Sequence, residues 1–255
     1  LRSLWRSLFL VVLCVCKHKC FLEKNENSGK VIRGKYMKPE IIVALDFDNV
    51  DAAKKIVKSA GDAVTWYKVG LELFVADGQR VIEFLKNKNK KIFLDLKFHD
   101  IPNTVINAVL ASLKYETDMV NMHTQGGPEM MKTTVEKINE HCDKENVAKP
   151  LLIGVTLLTS LDEAYLNIMK LGFDKSRDYV LHLAELAQKS GLNGVVSSAQ
   201  ETPAIKGALG KEFITVTPGI RPAAASVDDQ KRVVTTTDAK DMGRDSIVIG
   251  RPVTQ

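Results

Sequence analysis

Residues 93–105 read FLDLKFHDIPNTV and place Asp95, Lys97 and Asp100 inside an otherwise apolar run. The run has the character of a buried β-strand, yet charged side chains are almost never buried unless they are paired. Removing each such charge from water costs several kcal/mol. The stretch is therefore either a strand whose last residues carry chemistry or not a strand at all, and the sequence around it decides between the two.

The chain on both sides of this stretch alternates between short apolar runs and amphipathic helical patterns. Near-continuous apolar strands separated by helices indicate a parallel sheet that is covered on both faces. Eight such units predict an α/β fold of the TIM-barrel type, a closed (β/α)8 barrel. An open doubly wound sheet is the alternative, and it is weakened because no G-x-G-x-x-G follows the first strand. The predicted strands are residues 41–46, 64–70, 91–97, 118–123, 151–158, 194–198, 213–219 and 246–250, and the clearest predicted helices are 51–60, 73–87, 102–115 and 176–191.

The composition is that of an ordinary soluble globular protein, with 255 residues of which 45% are hydrophobic and 26% charged. This length accommodates one large α/β domain or two small ones. A formal net charge of +5 is compatible with an anionic small-molecule substrate and too weak to indicate a nucleic-acid partner. The cysteines, at positions 14, 16, 20 and 142, form no disulfide framework, so a cytoplasmic location is expected.

The N-terminal segment, residues 1–36, is predicted to be an extension outside the folded domain. Its uninterrupted apolar core, residues 8–16, is far shorter than the roughly 20 residues that span a bilayer, so no membrane partner is expected. No small-x-small cleavage site follows it, which argues against a secretory signal. The alternating Cys14, Cys16, His18 and Cys20 lack the C-x2-C spacing of zinc sites, so no metal is predicted.

The folded domain is predicted to comprise residues 37–255, because the sequence from Met37 onward, MKPEIIVALDF, reads like the start of a compact domain. The chain stops at Gln255, just past the eighth predicted strand. A complete barrel needs a further helix there to cover the apolar face of the sheet. We therefore expect a barrel that lacks its last helix.

Polar residues stand at the C-terminal ends of the predicted strands, where barrels of this kind carry their catalytic groups. Surface charges scattered along a chain would not fall at strand ends with such regularity. The candidates are Asp46 in the first strand, Lys68 in the second, Asp95 and Lys97 in the third, His123 in the fourth, Thr159 and Ser160 after the fifth, Pro218 to Arg221 after the seventh, and Gly250 and Arg251 after the eighth.

The spacing of these charges suggests an alternating array. Asp95 and Lys97 are two residues apart, so a regular strand turns both side chains to one face, at the mouth of the barrel. Asp100 follows at the turn into the next helix, and a lysine between two carboxylates stays protonated and keeps them ionised. A structural ladder of ion pairs is the alternative. Lys68 and Asp46 favour catalysis, because they would extend the alternating charges into the cavity.

The last two strand ends indicate a phosphate site. Gly219-Ile220-Arg221 and Gly250-Arg251-Pro252 each set glycine N–H groups beside an arginine, a combination that phosphate favours. The loops after strands 7 and 8 hold phosphate in many barrels. Arg221 and Arg251 are therefore predicted to bind a phosphate group.

In these residues and in the motifs around them, the sequence resembles the orotidine 5'-monophosphate decarboxylase family in its bacterial-length form. The resemblance runs from about Ile41 to Thr254. The Asp-x-Lys-x-x-Asp core alone is shared with phosphosugar lyases of the same superfamily, whereas the Ile-Pro-x-Thr that follows it is the decarboxylase form. The motifs that carry the resemblance are IIVALDFDN, YKVGLELF, FLDLKFHDIPNTV, MVNMHTQGG, VTLLTS, TPGIRP, DDQKRV and IGRPVTQ.

The resemblance implies a carboxy-lyase that converts orotidine 5'-monophosphate to uridine 5'-monophosphate, the last step of de novo pyrimidine biosynthesis, without metal or organic cofactor. It implies that Asp95 lies against the substrate carboxylate, and that Lys97 stabilises the developing carbanion and then protonates C6. Lys68 would orient Asp95 and contact the ribose, and Asp46 would bind a ribose hydroxyl.

The same resemblance implies a homodimer with shared active sites, in which Asp100, Ile101 and Thr104 come from the partner subunit. The lysine already donates the proton, so His99 and His123 are expected to be structural. The other substrate contacts that it implies are Thr159 with the pyrimidine, Gln230 with base and phosphate from a closing loop, Pro218 in the same substrate-binding set, and Arg221, Gly250 and Arg251 with the phosphate.

Three alternatives to this function remain open. A phosphosugar lyase or aldolase of the same superfamily would use magnesium. A non-catalytic relic would bind a phosphate ligand without turning it over. A membrane-tethered protein would need the N-terminal apolar run to partition into lipid, and the shortness of that run argues against it.

Overall fold

The computed structural model describes residues 39–218 and 245–250, together with the backbone of two short strand pairs. In one pair Glu23–Lys24 runs antiparallel to Val31–Ile32, and in the other Ile220–Arg221 runs parallel to Val234–Thr235. Most of the predicted N-terminal extension lies outside the described residues. So does the chain after Gly250, where the last helix is predicted to be missing, and both statements stay predictions.

Eight parallel strands close into a barrel in which each strand pairs with its neighbours in sequence. The first strand pairs with the last, with Ile41 opposite Ile247 and Val43 opposite Ile249. The predicted α/β fold, a TIM barrel, is confirmed, and every predicted strand is present. The strands are β1 Glu40–Ala44, β2 Trp66–Gly70, β3 Lys91–Phe98, β4 Met119–His123, β5 Leu151–Val155, β6 Gly194–Val196, β7 Ile214–Thr217 and β8 Ser246–Ile249.

At least one helix follows each of the first six strands. Two of these helices begin with residues that favour a helix N-terminus. The Asn49 side chain accepts a hydrogen bond from the Ala52 N–H, and Pro102 stands in the first turn of the third helix. No helix within residues 39–218 has the length and apolarity needed to cross a membrane. The helices are α1 Val50–Ala60, α2 Leu71–Lys86, α3 Pro102–Ser112, α4 Gly127–Glu145, α5 Glu163–Ile168, α6 Ser176–Lys189 and α7 Thr202–Leu209.

The clearest difference from the predicted strands is at β5, which ends at Val155 instead of residue 158. The Thr156 N–H still donates to the Val196 carbonyl at 3.3 Å, but the Leu161 N–H then turns back to the Leu158 carbonyl. Leu158 is consequently exposed, although it belongs to the same apolar run. The apolar run therefore continues past the end of the strand into the loop at the barrel mouth.

Alternate residues of each strand fill two separate spaces. In β1, Ile42 and Ala44 point into the barrel, whereas Val43 packs in the larger core between the barrel and the helices. One apolar cluster fills the interior, so the barrel is packed and not hollow. The buried members of that cluster are Ile42, Ala44, Trp66, Phe93, Met119, Ile153, Val216 and Val248.

A polar layer follows directly above this interior cluster on the first four strands. Strand alternation turns residues i and i+2 to the same face. The residues two positions beyond Ala44, Trp66, Phe93 and Met119 are all polar, and they lie on the side of the cluster that faces the C-terminal mouth of the barrel. We call them the polar layer: Asp46, Lys68, Asp95 and Asn121.

The opposite, N-terminal end of the barrel is held by a contact that recurs on alternate strands. The residue immediately before β4, β6 and β8 is an aspartate or asparagine whose side chain accepts a hydrogen bond from the second residue of the preceding strand. We call this contact the strand clasp. The pairs of acceptor and backbone N–H donor are Asp118 with Ile92 at 2.9 Å, Asn193 with Leu152 at 2.8 Å, and Asp245 with Thr215 at 2.7 Å.

The residue of the third clasp, Asp245, also joins the last strand of the barrel to the first. The Asp245 carboxylate accepts from Lys206 Nζ at 2.6 Å, and its backbone carbonyl accepts from the Glu40 N–H at 2.8 Å. Lys206 in turn donates to the carbonyls of Lys211 and Phe213. One residue thereby joins β7, β8, β1 and α7.

Asp245→Ala is expected to lower the free energy of unfolding by about 2–3 kcal/mol, because it leaves the Thr215 N–H without its side-chain acceptor and Lys206 without its counterion. Asp143→Ala, which removes the exposed partner of Lys149, is the matched control and should change stability by less than about 0.5 kcal/mol. Denaturant unfolding of both variants measures the difference, and equal losses would contradict a special role for the clasp.

Candidate active site

Asp95 occupies the centre of the polar layer. Its side chain is only 10% exposed, and Lys68 Nζ lies 3.2 Å from Oδ2. Lys97 Nζ and Asn121 Nδ2 both donate to Oδ1, at 2.8 and 2.7 Å. Burial alone would raise the pKa of Asp95, but the two ammonium groups and the hydrogen bonds hold that pKa below its ordinary value. The carboxylate is therefore ionised at neutral pH although it is buried.

Lys68 lies between two carboxylates. Its Nζ is 2.9 Å from Asp46 Oδ1 and 3.2 Å from Asp95 Oδ2, and its side chain is 12% exposed. Burial alone would lower the pKa of Lys68, but Asp95 and Asp46 together raise it. Asp46, with a half-exposed side chain, is the end of the array that is open to solvent. The charges alternate in the order Asp46, Lys68, Asp95, Lys97, and we call these four residues the charge array.

Lys97 has a left-handed backbone conformation, with φ 52°. The register of β3 on β4 shifts between Leu94 and Phe98, so the strand bulges at this lysine. Asp95 and Lys97 lie together as predicted, but in a strand that bulges at the lysine instead of alternating regularly. A left-handed conformation is uncommon for a residue other than glycine and costs roughly 1–3 kcal/mol.

Asp100 does not join the charge array of its own chain. Its Oδ1 accepts a hydrogen bond from the Ile101 N–H at 2.7 Å, and the residue is exposed. Among the described residues no ion pair joins Asp100 to Lys97, so the lysine between two carboxylates of one chain is Lys68. Ile101 is 67% exposed and Thr104 is exposed as well. The three residues expected to serve a partner's site therefore all lie on the surface.

The other described candidates lie in the loops that follow β5, β7 and β8. Thr159 and Pro218 are half-buried, and Gly250 directly follows β8. A Cβ on Gly250 would lie 3.6 Å from Asp46 Oδ2, so the backbone of this glycine borders the charge array. The C-terminal ends of the eighth strand and the first strand therefore meet beside Asp46.

Most of the predicted phosphate site lies outside the part of the chain that the structure describes. Gln230, Arg251 and the side chain of Arg221 lie outside the described residues. The roles assigned to these three residues stay predictions.

His123 and His99 stack beside the charge array with ring centroids 5.2 Å apart. Burial, together with the positive charges of His99 and Lys97, lowers the pKa of His123 to about 4. His123 is therefore neutral at neutral pH and adds no charge next to Asp95. This agrees with a structural role for the pair, which stays a prediction.

Most of the chain matches one family of known proteins. Residues 39–255 match the family described as Orotidine 5'-phosphate decarboxylase / HUMPS family. The chain belongs to this family. The resemblance noted from the motifs is confirmed.

Individual relatives are similar over nearly their full length. The orotidine 5'-phosphate decarboxylase of Vibrio atlanticus (strain LGP32) is 47% identical over 217 residues, which are 85% of this chain and 91% of the relative. The protein of the same name from Bacillus cereus (strain 03BB102) is 43% identical over 220 residues, which are 86% of this chain and 92% of the relative. The crystal structure of orotidine 5'-phosphate decarboxylase from Lactobacillus acidophilus aligns with a TM-score of 0.72 at 37% identity, covering 85% of this chain and 92% of that one.

Asn121 belongs to the site although it is not among the residues predicted from the sequence. Its side chain is completely buried and contacts both the Asp95 carboxylate and the Lys97 backbone. The signal was present in the motif MVNMH, where an amide stands two residues after the interior Met119. An apolar residue is expected at such a position, so the polar side chain indicated a partner inside the barrel.

Gly70, at the end of β2, leaves room for the ion pair between Lys68 and Asp46. A Cβ at this position would lie 3.0 Å from Lys68 Nζ and 3.3 Å from Asp46 Oδ1. Both distances are shorter than ordinary contacts of a methyl group. A side chain here would push the ammonium group away from Asp46.

Gly70→Ala is expected to displace Lys68 Nζ from Asp46 and to lower the free energy of unfolding by about 1–2 kcal/mol through overpacking. Gly207→Ala in α7 is the control, because an added Cβ there meets no atom within 4 Å, and helix propensity should raise stability by roughly 0.5–1 kcal/mol. Crystal structures and denaturant unfolding of both variants test this. An undisplaced Lys68 in folded Gly70→Ala would contradict the expectation.

Proposed function

We propose that this chain catalyses the decarboxylation of orotidine 5'-monophosphate to uridine 5'-monophosphate, without metal or organic cofactor. The observation that carries the proposal is the ionised Asp95, buried at the barrel mouth between two ammonium groups. Family membership and the near-complete coverage of relatives that bear this name support the same reaction.

The proposed chemistry uses Asp95 to disfavour the bound substrate. The substrate carboxylate would lie against this side chain, and two ionised carboxylates in contact repel each other. When the bond from C6 to the carboxylate carbon breaks, CO2 leaves as a neutral molecule and the electron pair stays on C6. The repulsion is relieved as the reaction proceeds, so the transition state is stabilised relative to the ground state.

Lys97 supplies the matching positive charge and the proton. Its side chain is 31% exposed, so the ammonium group reaches the mouth while it stays 2.8 Å from Asp95 Oδ1. It would stabilise the pair of electrons on C6 and then transfer one N–H proton to that carbon. Water would reprotonate the amine afterwards. Enzymes can lower barriers by as much as about 20 kcal/mol, and fixed charges of this kind are usually the largest contribution.

Lys68 and Asp46 would hold the ribose end of the nucleotide. Lys68 fixes the carboxylate of Asp95 from the second side, and the half-exposed Asp46 is free to accept from a ribose hydroxyl. Gly250, which borders Asp46 and carries no side chain, would let a phosphate group approach the backbone N–H. In the same proposal Thr159 and Pro218 contact the base, and Arg221, Gln230 and Arg251 contact the phosphate.

The pairing of the carboxylates favours a decarboxylase over a magnesium-dependent lyase. Asp95 is already neutralised by two lysines and Asp46 by one, at 2.8 to 3.2 Å. Magnesium is held by carboxylates that are available as ligands, and a divalent cation here would face two ammonium groups. Within residues 39–218 and 245–250, no three His, Cys, Asp or Glu side chains stand together in a way that could hold a metal ion.

The proposal includes a homodimer with shared active sites. Large apolar side chains are exposed at the start of α2 and α3: Leu71 is 54% exposed, Val75 82% and Ile101 67%. These helices follow neighbouring strands, so the three side chains lie at the same end of the barrel, beside the exposed Asp100 and Thr104. A second copy of the chain would cover this apolar surface and bring its Asp100 to the charge array.

A cytoplasmic location belongs to the same proposal. Cys142, the cysteine within the described part of the chain, is a buried free thiol. A reducing compartment keeps such thiols free.

The reaction is tested by following the ultraviolet absorbance of orotidine 5'-monophosphate with the purified full chain. Turnover is expected to survive exhaustive chelation with EDTA, and Lys97→Ala should lower kcat by about a thousandfold or more with the fold intact. Activity that returns only with added magnesium would identify a lyase. Nucleotide binding without turnover would identify a relic, and a Lys97→Ala kcat within about tenfold of wild type would contradict the catalytic role of the lysine.

The shared site is tested by mixing two inactive variants, Lys97→Ala and Asp100→Ala. Each heterodimer has one site with both residues, so an equal mixture should recover about a quarter of the wild-type turnover. A mixture of Lys97→Ala with Lys68→Ala is the control and should recover none, because both lysines belong to the array of one chain. If the first mixture stays inactive after demonstrated subunit exchange, Asp100 does not act across the interface.

A further inference from the structure

Asn121 makes two hydrogen bonds in the interior of the barrel, and both go to the neighbouring strand β3. It lies in the middle of β4, on the interior face that it shares with Met119, and its side chain is completely buried. Oδ1 accepts from the backbone N–H of Lys97 at 2.8 Å. Nδ2 donates to Asp95 Oδ1 at 2.7 Å. The side chain therefore contacts both members of the ion pair on which the proposed chemistry depends.

The chemistry of the two neighbours fixes the orientation of this amide. A backbone N–H can only donate, so it must face Oδ1, and an ionised carboxylate can only accept, so it must face Nδ2. The reverse orientation would set like groups against each other at both ends. Asparagine satisfies both neighbours at once, whereas an aspartate would offer an acceptor to each of them.

The bond to Lys97 replaces a missing contact of the sheet. The β3–β4 register shifts between Leu94 and Phe98, so the bulged Lys97 has left the regular ladder. Its backbone has φ 52°, a conformation that lysine adopts at a cost. Asn121 Oδ1 supplies the acceptor for the N–H of this residue. The bulge and the carboxylate position are thereby coupled through one side chain.

We propose that Asn121 is the positioning residue of the Asp95–Lys97 pair, holding the bulge at Lys97 in place and aiming the Asp95 carboxylate with the same amide. The inference rests on the proposed function and deepens it. It assigns no contact between Asn121 and substrate. The amide acts on the reaction through the two residues that it holds.

Other charged groups near Asp95 have to be considered before a pH effect is assigned to Asn121. Lys68 faces the carboxylate from β2, Lys97 from β3 and His123 from β4, and His99 lies behind His123. The pKa of His123 is lowered to about 4, so this residue stays neutral through the neutral range. The pKa of Lys68 is raised by Asp95 and Asp46, so this lysine stays charged there. These groups are the same in wild type and in a variant at position 121, so a pH dependence that only the variant shows would come from the carboxyl group of Asp95 together with the substituted side chain.

The decisive variant is Asn121→Asp, which is isosteric. It keeps an acceptor for the Lys97 N–H, but a carboxylate oxygen takes the place of the amide nitrogen, which lies 2.7 Å from Asp95 Oδ1. Two carboxyl groups at that distance share a proton and release it only at raised pH. If catalysis needs ionised Asp95, kcat should fall by about a hundredfold at pH 7 and recover as the pH rises, while wild type is flat over the same range.

Two further variants separate positioning from packing. Asn121→Ala removes both hydrogen bonds without adding an ionisable group, so kcat should fall with no new pH dependence. Asn193→Ala is the matched control, because Asn193 Oδ1 accepts a backbone N–H from Leu152 at the same 2.8 Å, at the opposite end of the barrel. It should lower stability and leave both kcat and its pH profile unchanged.

A readout without substrate keeps the inference separate from the function. Carboxyl-carbon NMR titration, with Asp95 assigned from an Asp95→Asn spectrum, should show a raised midpoint for Asp95 in Asn121→Asp and an unchanged one in Asn193→Ala. If wild type decarboxylates the nucleotide but Asn121→Asp has the wild-type titration and pH profile, the positioning role is overturned and the function stands. If wild type shows no turnover, the function fails, and the NMR midpoint alone decides for or against the role of Asn121.

Discussion

The Asp95 carboxylate, buried and ionised between the ammonium groups of Lys68 and Lys97, imposes conditions on the strands around it. A buried charge with one partner missing is strongly destabilising, so both lysines must be held where they are. Lys68 reaches its place because Asp46 accepts from its other side and Gly70 has no side chain to obstruct it. Residues of β2 and β3, and of the loop after β1, thus together hold the Asp95 carboxylate and its partners in position.

The fourth strand completes the arrangement by a different means. Lys97 contacts Asp95 from a bulge in β3, and the backbone of that bulge is held from β4 by a neutral amide. A neutral partner here leaves the balance of the array undisturbed, since a further charge would shift the ionisation of Asp95 in one direction or the other. The charged side of the mouth therefore lies on β1 to β3, and β4 adds the neutral amide. The candidates after β5, β7 and β8 that the structure describes, Thr159, Pro218 and Gly250, are uncharged, as suits contact with a base and a backbone approach to phosphate.

The sequence was sufficient for the barrel and for most of the charge array, and the reasons are physical. Strands buried on both faces must be apolar throughout, so a charge such as Asp46 or Lys68 at their C-terminal end stands out. The bulge at Lys97 was not predictable, because lysine carries no preference for a left-handed backbone and the register shift depends on β4. Asn121 was overlooked because a single amide in an apolar strand resembles an ordinary buried polar residue. Asp100 could not be placed from one chain, since its own carboxylate binds the N–H of Ile101.

The strand clasps at the other end of the barrel have a consequence for how the fold is divided. Each clasp joins β3 to β4, β5 to β6 or β7 to β8, and within the described residues none joins β4 to β5 or β6 to β7. The barrel is in this respect an assembly of strand pairs and not of eight equivalent strands. Breaks in the chain at residues 146–150 or 210–213 would separate whole pairs and leave every clasp intact inside a fragment. At these two connections circular permutation, or reassembly from two separately expressed fragments, should leave the backbone hydrogen bonds of all three clasps in place.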